Sequence, residues 1–221
     1  MAKSILMIVT SHGQIDEQHR TGLWFEEFAA PYTLFKQAGY AVTVVSPAGG
    51  DTPIDPRSLE DYEATPENEA AQAALKQLPG LDEGFTADDY DAVFFPGGHG
   101  TMFDLPDNPQ VQRIIKEFHV RNKVIAAVCH GPACLVKVAL HEGQPLVRGK
   151  RMAAFTDSEE RAVGLDQAMP FLLESALRER GAEVVAADDW QDNVVVDGNL
   201  VTGQNPQSSA SAARAVIELL S

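Results

Sequence analysis

The sequence predicts an α/β sandwich with a mostly parallel central sheet and helices on both faces. Short, continuously apolar runs at 5–9, 92–95 and 124–128 have the length of strands buried on both faces of a parallel sheet. Stretches with helical periodicity separate the runs, in the alternating order that places helices on the faces of such a sheet. The 221 residues contain no repeat, low-complexity tract or linker, so 1–221 is expected to be one domain.

The first strand is 5–9, followed by a polar loop, TSHGQIDEQHRTG, at 10–22. A helix is expected over 23–37, closed by Gly39, and a second strand over 40–46. Residues 47–59 form a loop rich in Pro, Gly and Asp, and 60–78 is expected to be helical, most clearly over 70–78. After strand 92–95, Asp107-Asn108-Pro109 caps a helix that runs to about Arg121. Strand 124–128 leads into a turn and a helix over 133–138. Residues 144–155 read as two short extended pieces around Gly149-Lys150, and Thr156-Asp157-Ser158 as a helix-cap cluster ahead of Glu159 and Glu160. A helix over 169–180 closes at Gly181, and strands are expected at 182–187 and 193–196. The turn Asp197-Gly198 brings 200–202 back as a pairing strand, and Asn205-Pro206 opens a last helix ending near Leu220.

The net charge of −15 argues against nucleic acid and anionic membrane as partners. Much of it is local: residues 51–91 hold twelve acidic against two basic residues, which reads most simply as a solvated face. No apolar run approaches the length of a membrane span, and the run after Lys3 is too short for a signal peptide and lacks a cleavage site. Two cysteines, Cys129 and Cys134, argue against a disulfide framework and fit a reducing cytoplasm.

Cys129 follows strand 124–128 directly and precedes His130-Gly131-Pro132. A cysteine on a strand–turn–helix corner has the architecture of a nucleophile elbow. A thiol at a helix N-terminus is biased toward thiolate, and the His130 N–H would face an oxyanion formed by attack from the sulfur. The loop P-G-G-H-G-T at 96–101 ends at the same sheet edge, where open α/β sheets bind ligands. The Gly98 N–H could supply a second oxyanion donor; a phosphate cradle and a plain turn are the rival readings. His99 could line the pocket or cap the turn. On the first helix, Glu27 shares a face with Ala30, Pro31, Leu34 and Ala38, whereas Glu26 shares one with Thr33 and Gln37. Glu27 therefore points toward apolar surroundings, where a carboxyl has a raised pKa and can serve as acid or base; an ordinary first-turn glutamate is the alternative. Glu159 or Glu160 could orient a histidine. His12 and His19 could join Glu27 on a metal, but the spacing favours solvated loop histidines. No metal and no cofactor are expected. Cys134, Trp24 and Phe25 read as core or interface residues.

Five segments together resemble the ThiJ/PfpI (DJ-type) superfamily, related to class I glutamine amidotransferase-like domains, and within it the chaperone/glyoxalase III branch. They are TGLWFEE at 21–27, FFPGGHGTMFD at 94–104, AAVCHGPA at 126–133, GKRMAAFTDSEE at 149–160 and LVTGQNPQSS at 200–209. The resemblance implies a flavodoxin-like sandwich and a homodimer. It places the nucleophile on Cys129, its neighbouring histidine on His130, the family glutamate that follows the Thr-Gly motif on Glu27, the triad acid on Glu160 and an oxyanion donor on Gly98. The implied activity is conversion of a small 2-oxoaldehyde, methylglyoxal, to lactate without cofactor or glutathione. Alternatives are a cysteine amidase, peptidase or isonitrile hydratase, and a stress chaperone or cysteine redox sensor.

Overall fold

A computed structural model describes residues 2–221. Eight strands form: β1 Ser4–Ile8, β2 Ala41–Val45, β3 Ala92–Phe95, β4 Val124–Val128, β5 Arg151–Met152, β6 Glu183–Val184, β7 Val194–Asp197 and β8 Leu200–Gly203. Six of them build one sheet in the order β2-β1-β3-β4-β8-β7. All its pairings are parallel except the β7–β8 hairpin at one edge. β5 and β6 pair separately. The helices are α1 Phe25–Gln37, α2 Pro66–Ala73, α3 Thr101–Asp104, α4 Pro109–Val120, α5 Asp157–Ala162, α6 Leu173–Glu179 and α7 Ser209–Leu220.

The strand pleat sorts the apolar side chains into two cores. Leu6, Ile8, Val93, Phe95, Ile125 and Ala127 pack on one face with α4 and α6. Ile5, Met7, Phe94, Ala126 and Val201 pack on the other with α1 and α7. Period-2 alternation within continuously apolar strands is what a sheet covered on both faces requires.

Several expected elements are shorter than the sequence indicates. Residue 23 belongs to no helix, because Leu23 bridges Ile54 as an extended pair, its N–H donating to the Pro53 carbonyl at 2.8 Å. The helix expected over 60–78 is confined to α2: Thr65 caps it, Pro66 opens it, and Leu78 exchanges backbone hydrogen bonds with Gly50 instead of continuing the helix. The helix expected over 169–180 begins at Leu173, beyond Pro170, and Asp157 accepts from the Ser175 N–H in its first turn. Of the extended residues expected within 144–155 only β5 pairs as a strand, and the strand expected at 182–187 shrinks to β6. The segment expected as a helix over 133–138 is a 3-10 helix, Gly131–Leu135.

β1, β3 and β4 lie side by side and parallel, so their carboxyl ends open on one sheet edge. That edge carries the site.

Candidate active site

Cys129 sits one residue past β4 with φ +59, a strained conformation for a non-glycine residue and one that recurs at functional sites. Its N–H donates to the Gly203 carbonyl at 3.0 Å, and its own carbonyl accepts from the Phe155 N–H at 2.9 Å. The corner is thus pinned between β8 and the 155–160 segment. Gly131 is required at the bend, since a Cβ there would stand 2.2 Å from the Phe95 carbonyl oxygen. Gly98 has φ +91, and a Cβ there would stand 2.2 Å from the Gly22 oxygen. The Thr101 hydroxyl lies 2.9 Å from the Gly98 carbonyl and 3.0 Å from the His130 carbonyl, bridging the glycine loop and the elbow.

The His130 ring reaches both the sulfur and a carboxylate. Its Nδ1 lies 3.4 Å from Cys129 Sγ and its Nε2 2.6 Å from Glu160 Oε2. The same carboxylate meets His99 Nε2 at 2.7 Å through Oε1. Burial raises the Glu160 pKa, but the facing His130 and the hydrogen bonds from both rings outweigh it and hold Glu160 below its ordinary range. An ionised Glu160 only accepts, so each imidazole presents an N–H to it from Nε2, which leaves His130 Nδ1 as the ring atom facing the thiol. Burial, and then His130, push His99 down to about 4, so its ring is neutral. His99 Nδ1 lies 3.4 Å from Arg57 Nη2, and Arg57 forms a bidentate pair with buried Asp55 at 3.0 and 2.6 Å.

Glu27 is fully buried, as its periodicity indicates, while Glu26 is exposed. Its Oε2 accepts from the Gly97 N–H at 2.7 Å. Its Oε1 has no hydrogen-bond partner within bonding geometry, and the Cys129 thiol is the group beside it that pulls its pKa down. Burial dominates and raises Glu27 to about 8.

The thiolate expected from the helix end is not supported. Only five residues of 3-10 helix follow the cysteine, giving little macrodipole. Burial, and then the charge of Glu27, push the Cys129 thiol well above its ordinary value. Glu27 and Cys129 thus hold protons at neutral pH, and the sulfur must lose its proton as it attacks.

Of the two adjacent glutamates, Glu160 alone touches the histidines. Glu159 completes the capping box with Thr156 and accepts from the Trp190 N–H, Gln204 and Asn205. His12 stacks on Phe103 and His19 pairs with Asp16, so neither joins Glu27. Ligand-type atoms of His99, His130 and Glu160 lie within 4.8 Å of one another, a spacing compatible with a metal ion. The short contacts to Glu160 already satisfy both ring N–H groups. Cys134 is core.

Cys129, His130, His99, Glu27 and Gly98 open onto a cavity of about 300 Å³. Trp24, Arg57, Phe155, Val163, Trp190 and Pro206 complete its wall. None of these six carries a recognisable signal in isolation; Asp55-Pro56-Arg57, an acid and a base two apart in a loop, is the one pairing that spacing could have flagged. Trp24, expected in core or interface, is half-buried at this wall. A larger cleft of about 620 Å³ lies over α1, α2 and α7, away from the sulfur, and shares only Trp24 and Arg57 with the cavity.

Known proteins resemble this chain over most of their length. Glyoxalase 3 of Candida albicans is 31% identical over 96% of both chains. The glutathione-independent glyoxalase hsp3101 of Schizosaccharomyces pombe is 35% identical, over 90% of this chain and 87% of that protein. Among solved structures, the rapid encystment protein REP24 of Francisella tularensis superposes with a TM-score of 0.93 at 35% identity, covering 99% of each chain. Glyoxalase III of C. albicans superposes with a TM-score of 0.89 at 29% identity, covering 98% of this chain and 97% of that one. Residues 23–219 match the DJ-1/PfpI family description. The flavodoxin-like sandwich, the elbow and these full-length relatives agree: the chain belongs to the DJ-1/PfpI family.

Proposed function

We propose that this protein is a glutathione-independent glyoxalase that isomerises and hydrates methylglyoxal to lactate on Cys129, without a cofactor. The observation that carries this reading is the contact of His130 with both the Cys129 sulfur and the Glu160 carboxylate, with buried Glu27 beside the same thiol.

Cys129 Sγ attacks the aldehyde carbon, and its proton passes to His130 Nδ1. The new oxyanion faces the N–H groups of Gly98 and His130 and then takes the proton back from His130, giving a hemithioacetal. Glu27, uncharged at neutral pH, donates its proton to the ketone oxygen while His130 takes the proton from the adjacent carbon, which forms an enediol. In the reverse sense on the other carbon, His130 delivers its proton to carbon and Glu27 recovers one from oxygen, leaving a thioester. Water cleaves the thioester with His130 as base, releasing lactate and the thiol. The net change adds one water; the aldehyde carbon is oxidised, the ketone carbon is reduced, and no external electron acceptor is needed. Glu160 keeps His130 in the tautomer that accepts from sulfur.

The test is lactate formation from methylglyoxal with EDTA present and glutathione absent. Wild type turns over, and Cys129→Ala loses at least about a thousandfold in kcat. Absence of wild-type turnover, or full activity in Cys129→Ala, refutes the reading. A homodimer, a cytoplasmic location and a single domain over 1–221 belong to the same proposal. Sedimentation equilibrium tests the first.

A further inference from the structure

The cavity exceeds the substrate assigned to it. At about 30 Å³ per water-sized group, the cavity volume of about 300 Å³ holds about ten non-hydrogen atoms; methylglyoxal has half that number. Apart from the groups at the sulfur and Arg57, the wall is apolar: Trp24, Phe155, Val163, Trp190 and Pro206. From the sulfur outward the rings follow one another: His130 and Phe155 have centroids 4.2 Å apart with their planes tilted by 35°, and Phe155 and Trp190 meet edge-on with centroids 5.7 Å apart.

Trp190 is held in place at a cost. Its φ is +65, a conformation that L side chains rarely adopt, and the residue is 38% exposed. The buried Glu159 carboxylate accepts from its backbone N–H at 2.9 Å, and Gln204 and Asn205 anchor that carboxylate. A partly exposed tryptophan whose strained backbone is bonded to a buried acid and whose ring rests on Phe155 is a pre-organised wall, since neither burial nor local propensity would put it there.

Resting on the glyoxalase reading, we propose that the preferred substrates are 2-oxoaldehydes bearing an aryl or branched aliphatic group, and that Trp190 sets this selectivity by walling the side-chain half of the cavity. An arylglyoxal has the size that fills the cavity, with its dicarbonyl at Cys129 and its ring against Phe155 and Trp190. The reaction is unchanged: one water is added and a 2-hydroxy acid leaves.

The experiment compares kcat/KM for phenylglyoxal and methylglyoxal in wild type, Trp190→Gly and Trp190→Phe. Glycine accepts this φ and keeps the backbone bond to Glu159, so the fold is retained. Wild type is expected to favour phenylglyoxal by about tenfold or more, the discrimination typical of added apolar contact. The phenylglyoxal-to-methylglyoxal ratio is expected to fall about tenfold in Trp190→Gly and to stay within about threefold of wild type in Trp190→Phe. Methylglyoxal turnover with an equal or higher kcat/KM than phenylglyoxal, or an unchanged ratio in Trp190→Gly, overturns this proposal and leaves the glyoxalase reading standing. Turnover of neither dicarbonyl overturns the glyoxalase reading and this proposal with it.

Discussion

Glu27 couples catalysis to stability through one proton. Its carboxyl titrates near 8 in the folded protein against an ordinary 4.5, because burial disfavours the charge. Between those values the folded state keeps a proton that the unfolded chain has released, so stability falls as pH rises across that window. Glu27→Gln removes the titration. Its stability relative to wild type is expected to grow from pH 4.5 to pH 8, reaching on the order of a few kcal/mol, as chemical denaturation across pH would measure. The same variant is expected to lose roughly a hundredfold to ten-thousandfold in kcat. Wild-type kcat should decline as pH rises through about 8, where Glu27 ceases to be a donor. The burial of Glu27 was legible in the sequence, because its apolar neighbours recur at helical spacing along α1. Arg57 and Asp55 were not, since their roles depend on a loop that folds back onto Leu23 and brings them to His99.

At the scale of elements, α5 holds Glu160. Thr156 and Glu159 form its capping box, and the helix is only six residues long, so its position rests on the cap. Thr156→Ala is expected to cost about 1–2 kcal/mol in thermal or denaturant unfolding. It should also lower kcat, with less effect on KM, because Glu160 orients His130 from that helix. The strand positions and the cap cluster were readable, being set by apolar runs and by Ser, Thr and Asp chemistry. The elbow helix was misread: Pro132 and Gly131 mark a turn, but the sequence does not distinguish a 3-10 segment from an α-helix, and the thiolate argument depended on that difference. Likewise Glu159 and Glu160 are indistinguishable by pattern. Tertiary contacts send one to Trp190, Gln204 and Asn205 and the other to the histidines.

For the whole molecule, the central sheet stands between two separate apolar layers, and the site occupies the edge where both meet. Phe118 on α4 is fully buried in one layer. Phe118→Ala is expected to destabilise by about 3–5 kcal/mol in denaturant unfolding while leaving KM for methylglyoxal near wild type, because the residue lies away from the cavity. If 1–221 folds as one unit, calorimetric and van't Hoff enthalpies will agree. No helix among the described residues is long and apolar enough to cross a membrane.

The burial of the Cys129 sulfur bears on which form of the substrate can react. In water a 2-oxoaldehyde exists largely as its gem-diol, and a thiol adds only to the free carbonyl. Cys129 is 3% exposed, so the carbonyl carbon must come to the sulfur inside the cavity, free of its added water. On the glyoxalase reading, Cys129 therefore consumes the minor, anhydrous aldehyde. Turnover at high enzyme concentration would then be bounded by how fast the hydrate sheds water in bulk solution, a step that the protein does not touch.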